Sequence, residues 1–115
     1  MEQLNRIELR GNVGSVRLQA VGDKQVAKLT VATNYIYKGK DGEAVIETTW
    51  HNVTAWEGKN IANLSKVEKG DKGHILGRLR NQKFIGNDGV ERTAYDVLAS
   101  KLEILDEDEY LQYES

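Results

Sequence analysis

The side chains that could do chemistry in this sequence gather in two stretches, Trp50-His51-Asn52-Val53-Thr54-Ala55-Trp56 and Arg78-Leu79-Arg80-Asn81-Gln82-Lys83-Phe84. In extended chain, successive side chains point to opposite faces. The first stretch then puts Trp50, Asn52, Thr54 and Trp56 on one face and His51, Val53 and Ala55 on the other. Small Val and Ala suit the crowded interior of a narrow barrel, which turns both indoles outward. Indoles are among the largest apolar groups available to bury, so either a flat π-surface stacks on them or a loop or second subunit covers them. In the second stretch Arg78, Arg80, Gln82 and Phe84 share one face, opposite Ile75, Gly77 and Leu79. Cations track phosphates and rings stack on unpaired bases, so this interleaving suits a single-stranded nucleic acid. It equally describes a solvated basic strand whose Phe84 covers a barrel end. Tyr35-Ile36-Tyr37-Lys38-Gly39-Lys40 adds two phenols and two lysines at a turn, either to fold over a bound strand or to stand in water.

Catalytic patterns are thin. His51 and His74 are the only histidines and lie in different segments, without metal-ligand spacing, so no metal site or cofactor is implied. Gly11-Asn12-Val13-Gly14-Ser15 lacks the following Gly-Lys-Ser/Thr of a phosphate-binding loop. The acids of the C-terminal tail lack the turn glycine of a calcium loop. No catalytic residue is identified, and the chain reads as a binding protein rather than an enzyme.

Three glycine turns divide the elements that must position these residues: Val21-Gly22-Asp23-Lys24, Lys38-Gly39-Lys40-Asp41-Gly42 and Ile85-Gly86-Asn87-Asp88-Gly89. Between them run segments rich in β-branched residues, often with period two: Asn5 to Leu18, Gln25 to Tyr37, Val45 to Trp56, Lys72 to Phe84 and Arg92 to Leu105. Ile61, Leu64 and Val67 form a stripe that predicts one short helix over Lys59 to Lys69, with Gly70 as its C-terminal cap. The order β-β-β-α-β-β predicts an all-β OB-fold, a five-stranded Greek-key barrel with one short helix between strands 3 and 4. An antiparallel α+β sandwich is the competitor.

At 115 residues, with 39% hydrophobic and 30% charged residues, the chain suits one soluble domain that needs no staples. It contains no cysteine and no proline, which excludes disulfides, thiolate zinc sites and Pro-rich linkers. No apolar run approaches a membrane span, and no signal or transit pattern opens the chain, so a cytoplasmic location is expected. The net charge is -2, yet residues 1–105 hold 16 bases against 13 acids, because five acids fall in 106–115. A mildly basic body (1–105) with a short acidic tail (106–115) suits an anionic partner, or is ordinary surface charge with a frayed end.

Leu4-Asn5-Arg6-Ile7-Glu8-Leu9-Arg10-Gly11-Asn12-Val13-Gly14, Leu29-Thr30-Val31-Ala32-Thr33-Asn34, Thr48-Thr49-Trp50-His51-Asn52-Val53 and Leu79-Arg80-Asn81-Gln82-Lys83-Phe84, in this order and at these spacings, resemble the bacterial single-stranded-DNA-binding proteins over residues 4 to about 105. The resemblance implies an OB-fold that binds single-stranded DNA with little sequence preference, in replication, repair and recombination, near the nucleoid. It places base-stacking rings at Tyr37, Trp50, Trp56 and Phe84, and phosphate contacts at Arg6, Lys59, Arg80 and Lys83. Tyr37 and Trp56 depart from the family's commonest residue but keep an aromatic ring. Gln82 stands where many relatives carry Arg, which puts one ionic contact in question. His51 matches a family histidine near the subunit interface, and the implied assembly is a homotetramer, with a dimer as the alternative.

The family usually continues into a Gly/Pro/Gln-rich linker and an acidic Pro-Phe tip that recruits replication and repair enzymes. Here the sequence stops at Asp106-Glu107-Asp108-Glu109-Tyr110-Leu111-Gln112-Tyr113-Glu114-Ser115, as expected of a truncated form or a short-tailed paralogue. An acidic tail of this kind is expected to compete weakly with DNA for the basic surface. Two rivals remain at the level of sequence: a dimeric OB protein of the primosomal replication protein N type, acting mainly on other proteins, and a small OB-fold nuclease, for which no Asp/Glu/Arg metal cluster is found.

Overall fold

In the computed structural model, which describes residues 1–106, five strands close into a barrel: β1 (Ile7–Val21), β2 (Lys24–Lys38), β3 (Ala44–Trp56), β4 (Lys72–Ile85) and β5 (Glu91–Leu105). Around the barrel the order is β1-β2-β3-β5-β4, with β1 closing on β4. Neighbours are antiparallel except β3 and β5, which run parallel where Val53 faces Val97 and Thr54 faces Leu98. This is the five-stranded Greek-key barrel expected from the segment order. The acidic tail lies, beyond Asp106, outside the described residues.

Alternation along each strand builds the core. Leu9 and Val13 of β1, Ala27, Leu29 and Val31 of β2, Val53 and Ala55 of β3, Ile75 of β4, and Val97 and Leu102 of β5 point inward and are buried. Burying this apolar surface is what offsets the entropy of ordering the strands. β1 and β2 meet through Gly22-Asp23, with Gly22 at φ 63°, the left-handed backbone that a two-residue hairpin requires at its first central position.

The β2–β3 and β4–β5 pairs continue past this core as two-stranded ribbons, reaching Lys38 opposite Ala44 and Ile85 opposite Glu91. Both ribbons end in the same chemistry, Gly39-Lys40-Asp41-Gly42 and Gly86-Asn87-Asp88-Gly89. In each, the first Gly N–H donates to the carbonyl four residues on (Glu43 at 2.8 Å, Val90 at 3.0 Å), and the last Gly N–H donates back to the first Gly carbonyl. Gly42 and Gly89 take φ 85° and 78°, where a side chain would be strained.

The helix expected over Lys59 to Lys69 is corrected to a single 3-10 turn, Leu64–Lys66. Residues 60–62 instead pair with the barrel: the Leu102 N–H donates to Asn60 O at 2.9 Å and the Ala62 N–H donates to Leu102 O at 2.9 Å. Backbone groups that a helix would use are thereby spent on β5. Asn63 then caps the short turn, its Oδ1 accepting from the Ser65 N–H at 3.1 Å. The stripe still does its packing work, since Leu64 and Val67 are buried and Ile61 packs against the core. Gly70, at φ 94°, does not cap a helix; its N–H donates to Val13 O at 2.8 Å and it turns the chain into β4.

Candidate nucleic-acid interface

The outer face of β3 carries the two tryptophans, and β1 supplies the support for one of them. The β1–β2 register shifts between Val13 and Ser15, leaving Gly14 as an extra residue in β1. A Cβ at Gly14 would stand 2.3 Å from Trp50 Cζ3 and 2.9 Å from Cη2. The indole therefore lies directly on bare backbone, with Thr30 beside it. Trp50 nonetheless remains 60% exposed, so its other ring face is open to stack on a ligand. Trp56, 39% exposed, projects from the same face six residues on, roughly 20 Å along an extended strand. One base cannot touch both rings.

Beside Trp50 a cleft of about 610 Å³ opens between this face and the β4–β5 ribbon, lined by Arg17, Lys28, Asn52, Gln82, Tyr95 and Asp96 among others. Its floor is a polar network. Asp96 accepts from Arg80 Nε at 2.8 Å and Nη2 at 3.1 Å, and from Thr54 Oγ1 at 2.6 Å; Lys28 Nζ donates to Thr54 Oγ1 at 3.3 Å. Burial works to raise the Asp96 pKa, but the bonds from Arg80 and Thr54 together with the nearby Lys28 charge outweigh it and hold the carboxyl below its ordinary value. The Arg80 guanidinium is raised by its bond to Asp96. Thr54, expected on an open outer face, is instead only 2% exposed, because this network closes over it.

The remaining expected residues are distributed more widely. Phe84 lies on the ribbon face it shares with Gln82 and Arg80, near the tip, and is exposed. Tyr37 pairs with Val45, and alternation along the ribbon puts it opposite the face of Trp50; it packs beside Tyr35 with ring centroids 6.1 Å apart. In its place Ile36 and Ile46, a cross-strand pair, share the Trp50 face and are exposed. Of the expected phosphate ligands, Arg80 has two nitrogens committed to Asp96, which leaves its other N–H groups. Lys83 is exposed on the ribbon, 3.7 Å from Glu91. Lys59 is exposed three residues beyond Trp56. Arg6 lines a separate groove of about 430 Å³ with Leu4, Arg78 and Leu98, which shares no lining residue with the cleft. His51 is half-buried at the rim of the barrel interior, its Nε2 2.8 Å from Thr33 Oγ1, and burial lowers its pKa.

Sequence reasoning missed Arg17 and Lys28. Lys28 alternates with Ala27 and Leu29, so its outward direction was available; that Arg17 and Lys28 face Gln82 and Asp96 across a cleft depends on the angle of the ribbon. Among the described residues no helix is long and apolar enough to cross a membrane.

Comparison with known proteins places this geometry. The model of the single-strand binding protein family matches residues 4–105. The Neisseria meningitidis serogroup A single-stranded DNA-binding protein is 34% identical over 107 residues, covering 89% of this chain and 60% of its own length. That of Xanthomonas axonopodis pv. citri is 28% identical, covering 89% and 58%. The chain thus spans about 60% of the length of these relatives. Among solved structures, the Plasmodium falciparum SSB in complex with ssDNA superposes with a TM-score of 0.77 at 24% identity, covering 92% of this chain and 98% of that one. A Thermus aquaticus single-stranded DNA binding protein superposes at 0.71 with 19% identity, covering 90% and 51%. At these identities the superpositions establish the fold.

Proposed function

Since this chain belongs to the single-strand binding protein family, we propose that it binds single-stranded DNA by base stacking and phosphate contact, with little overall sequence preference, and does no chemistry of its own. The observation that carries this reading is the Trp50 indole, seated on Gly14 with 60% of the residue exposed. A ring fixed on one side and open on the other is a stacking platform whose ordering cost is already met before the ligand arrives.

Trp50, Trp56 and Phe84 take bases, and Tyr37 takes one on the opposite side of its ribbon. Lys59, Lys83, Arg6 and the uncommitted N–H groups of Arg80 take phosphates. The release of counterions from those phosphates makes affinity fall with salt. A homotetramer, with His51 near a subunit contact, and work in replication, repair and recombination at the nucleoid belong to the same reading.

The test is intrinsic tryptophan fluorescence during titration with oligo(dT) at two salt concentrations. Saturable quenching that weakens with salt is expected. Absence of quenching at low salt overturns the stacking reading and leaves an OB module that acts on another protein.

A further inference from the structure

The cleft beside Trp50 differs from a phosphate track. Its volume of about 610 Å³ falls within the roughly 300–1,000 Å³ typical of sites that enclose a small molecule. Its floor holds a carboxylate. Asp96, with its side chain only 13% exposed, repels a phosphate brought next to it. Arg80 spends Nε and Nη2, and Lys28 its Nζ, on the floor network, and Arg80, whose remaining N–H groups could meet a phosphate, does not line this cleft.

Asp96 also keeps some capacity to accept. An ionised carboxylate offers about four lone-pair sites, and three are filled: Oδ1 by Arg80 Nε, Oδ2 by Arg80 Nη2 and Thr54 Oγ1. The open site is on Oδ1. Asn52 of β3 and Gln82 of β4 line the same cleft, and neither side-chain amide bonds another described residue. Tyr95 pairs with Asn81 and alternates with Asp96, so only its backbone borders the cleft and its ring lies on the other face of the ribbon. Arg17 on β1 supplies a cation with no ion-pair partner among the described residues.

We propose that this cleft accepts one nucleobase edge-on and prefers cytosine to uracil or thymine. The exocyclic amine of cytosine donates to Asp96 Oδ1, and the amides of Asn52 and Gln82 bond the rest of the edge. Arg17 keeps the attached phosphate outside. Uracil and thymine turn a carbonyl oxygen toward the same carboxylate, which is repulsive, whereas Asp accepting from cytosine N4 is an established pairing geometry. The proposal rests on the single-stranded DNA reading and deepens it, adding one base-reading position to an otherwise tolerant surface.

The experiment compares oligo(dC) with oligo(dU) of equal length, both weakly self-stacked, in tryptophan-quenching titrations over a salt series. Wild type and the double variant Asn52→Ala, Gln82→Ala are measured side by side; both residues are exposed and unbonded, so the barrel is retained. Wild type should bind oligo(dC) at least about fivefold more tightly, the scale of one good base contact. In the double variant that ratio should fall toward one while the salt slope stays unchanged. Equal affinities in wild type, a preference for oligo(dU), or a ratio that survives in the double variant overturns the proposal. A shallower salt slope in the double variant also overturns it, because it makes the cleft a phosphate site. Loss of quenching by both oligonucleotides in wild type is a different failure, that of the single-stranded DNA reading itself.

Discussion

The barrel has two walls that share β1, and they use their charges in opposite ways. On the β1–β4–β5 wall the polar and charged side chains face one another: His74 Nε2 lies 2.6 Å from Glu8 Oε2, His74 Nδ1 lies 3.7 Å from Glu103 Oε1, and Lys101 Nζ lies 2.8 Å from Glu103 Oε1. Glu8 is lowered mainly by its bond to His74, and Glu103 mainly by its bond to Lys101. On the β1–β2–β3 wall the carboxylate within reach, Asp96, is largely tied into the floor network, while Arg17, Asn52 and both indoles present themselves to solvent. The carboxylates of Glu8 and Glu103 oppose a phosphate brought to their strand face, whereas an exposed indole gains much from a base. The same fold therefore carries one patch, around His74, matched by its own side chains and one, around Trp50, left for a ligand.

Four measurements break or sharpen that contrast. Trp50→Ala should have the largest effect on binding, about 1–3 kcal/mol of affinity for single-stranded DNA, with the thermal midpoint little changed because the residue is mostly exposed. Unfolding of this variant would make Trp50 a structural residue and erase the distinction between the walls. Gly14→Val should approach the same loss with Trp50 still in the chain, because the new side chain displaces the indole from its seat; oligo(dT) titration of the two variants together decides whether the platform or the ring alone matters.

Asp96→Asn tests the floor. The folded-state pKa of Asp96 is depressed below its unfolded value of about 3.9. Its contribution to stability is therefore complete above that value and is lost as pH falls through it toward the folded pKa. Urea melts of wild type should lose stability between neutral pH and pH about 3, and the variant, destabilised by about 1–2 kcal/mol at neutral pH, should lose less over the same interval. Parallel curves would mean that other carboxylates dominate. The smallest effect is expected on the paired wall, where Lys101→Ala should change DNA affinity by less than about 0.5 kcal/mol, the usual range for a surface substitution. A drop comparable to that of Trp50→Ala would show that DNA also crosses the paired patch around His74.

Most of the fold was legible from local pattern. The strand segments lie within a few residues of β1 to β5, because period-two alternation and the three glycine turns are local signals that burial then reinforces. The short helix was misread because Ile61, Leu64 and Val67 fit a helical stripe, whereas the backbone around Ile61 pairs with Leu102, some forty residues away in sequence. Of the site, the outward direction of Trp50 and Trp56 followed from small Val53 and Ala55 beside them. The burial of Thr54 did not, since Asp96 and Arg80 come from strands that meet β3 only in the closed barrel.

The sequence by itself determined the strand segments, the interior face of each strand and the presence of aromatic and cationic side chains on the exterior, because each is set by neighbours one or two residues apart. Only the tertiary structure decided which of those exterior groups are available. The register shift that places Gly14 under Trp50, the committed guanidinium of Arg80, the opposed face of Tyr37 and the cleft between β3 and the β4–β5 ribbon all depend on distances between strands remote in sequence. Pairing across a barrel is a long-range event, and it is there that a side chain is either satisfied by the protein or left for a partner.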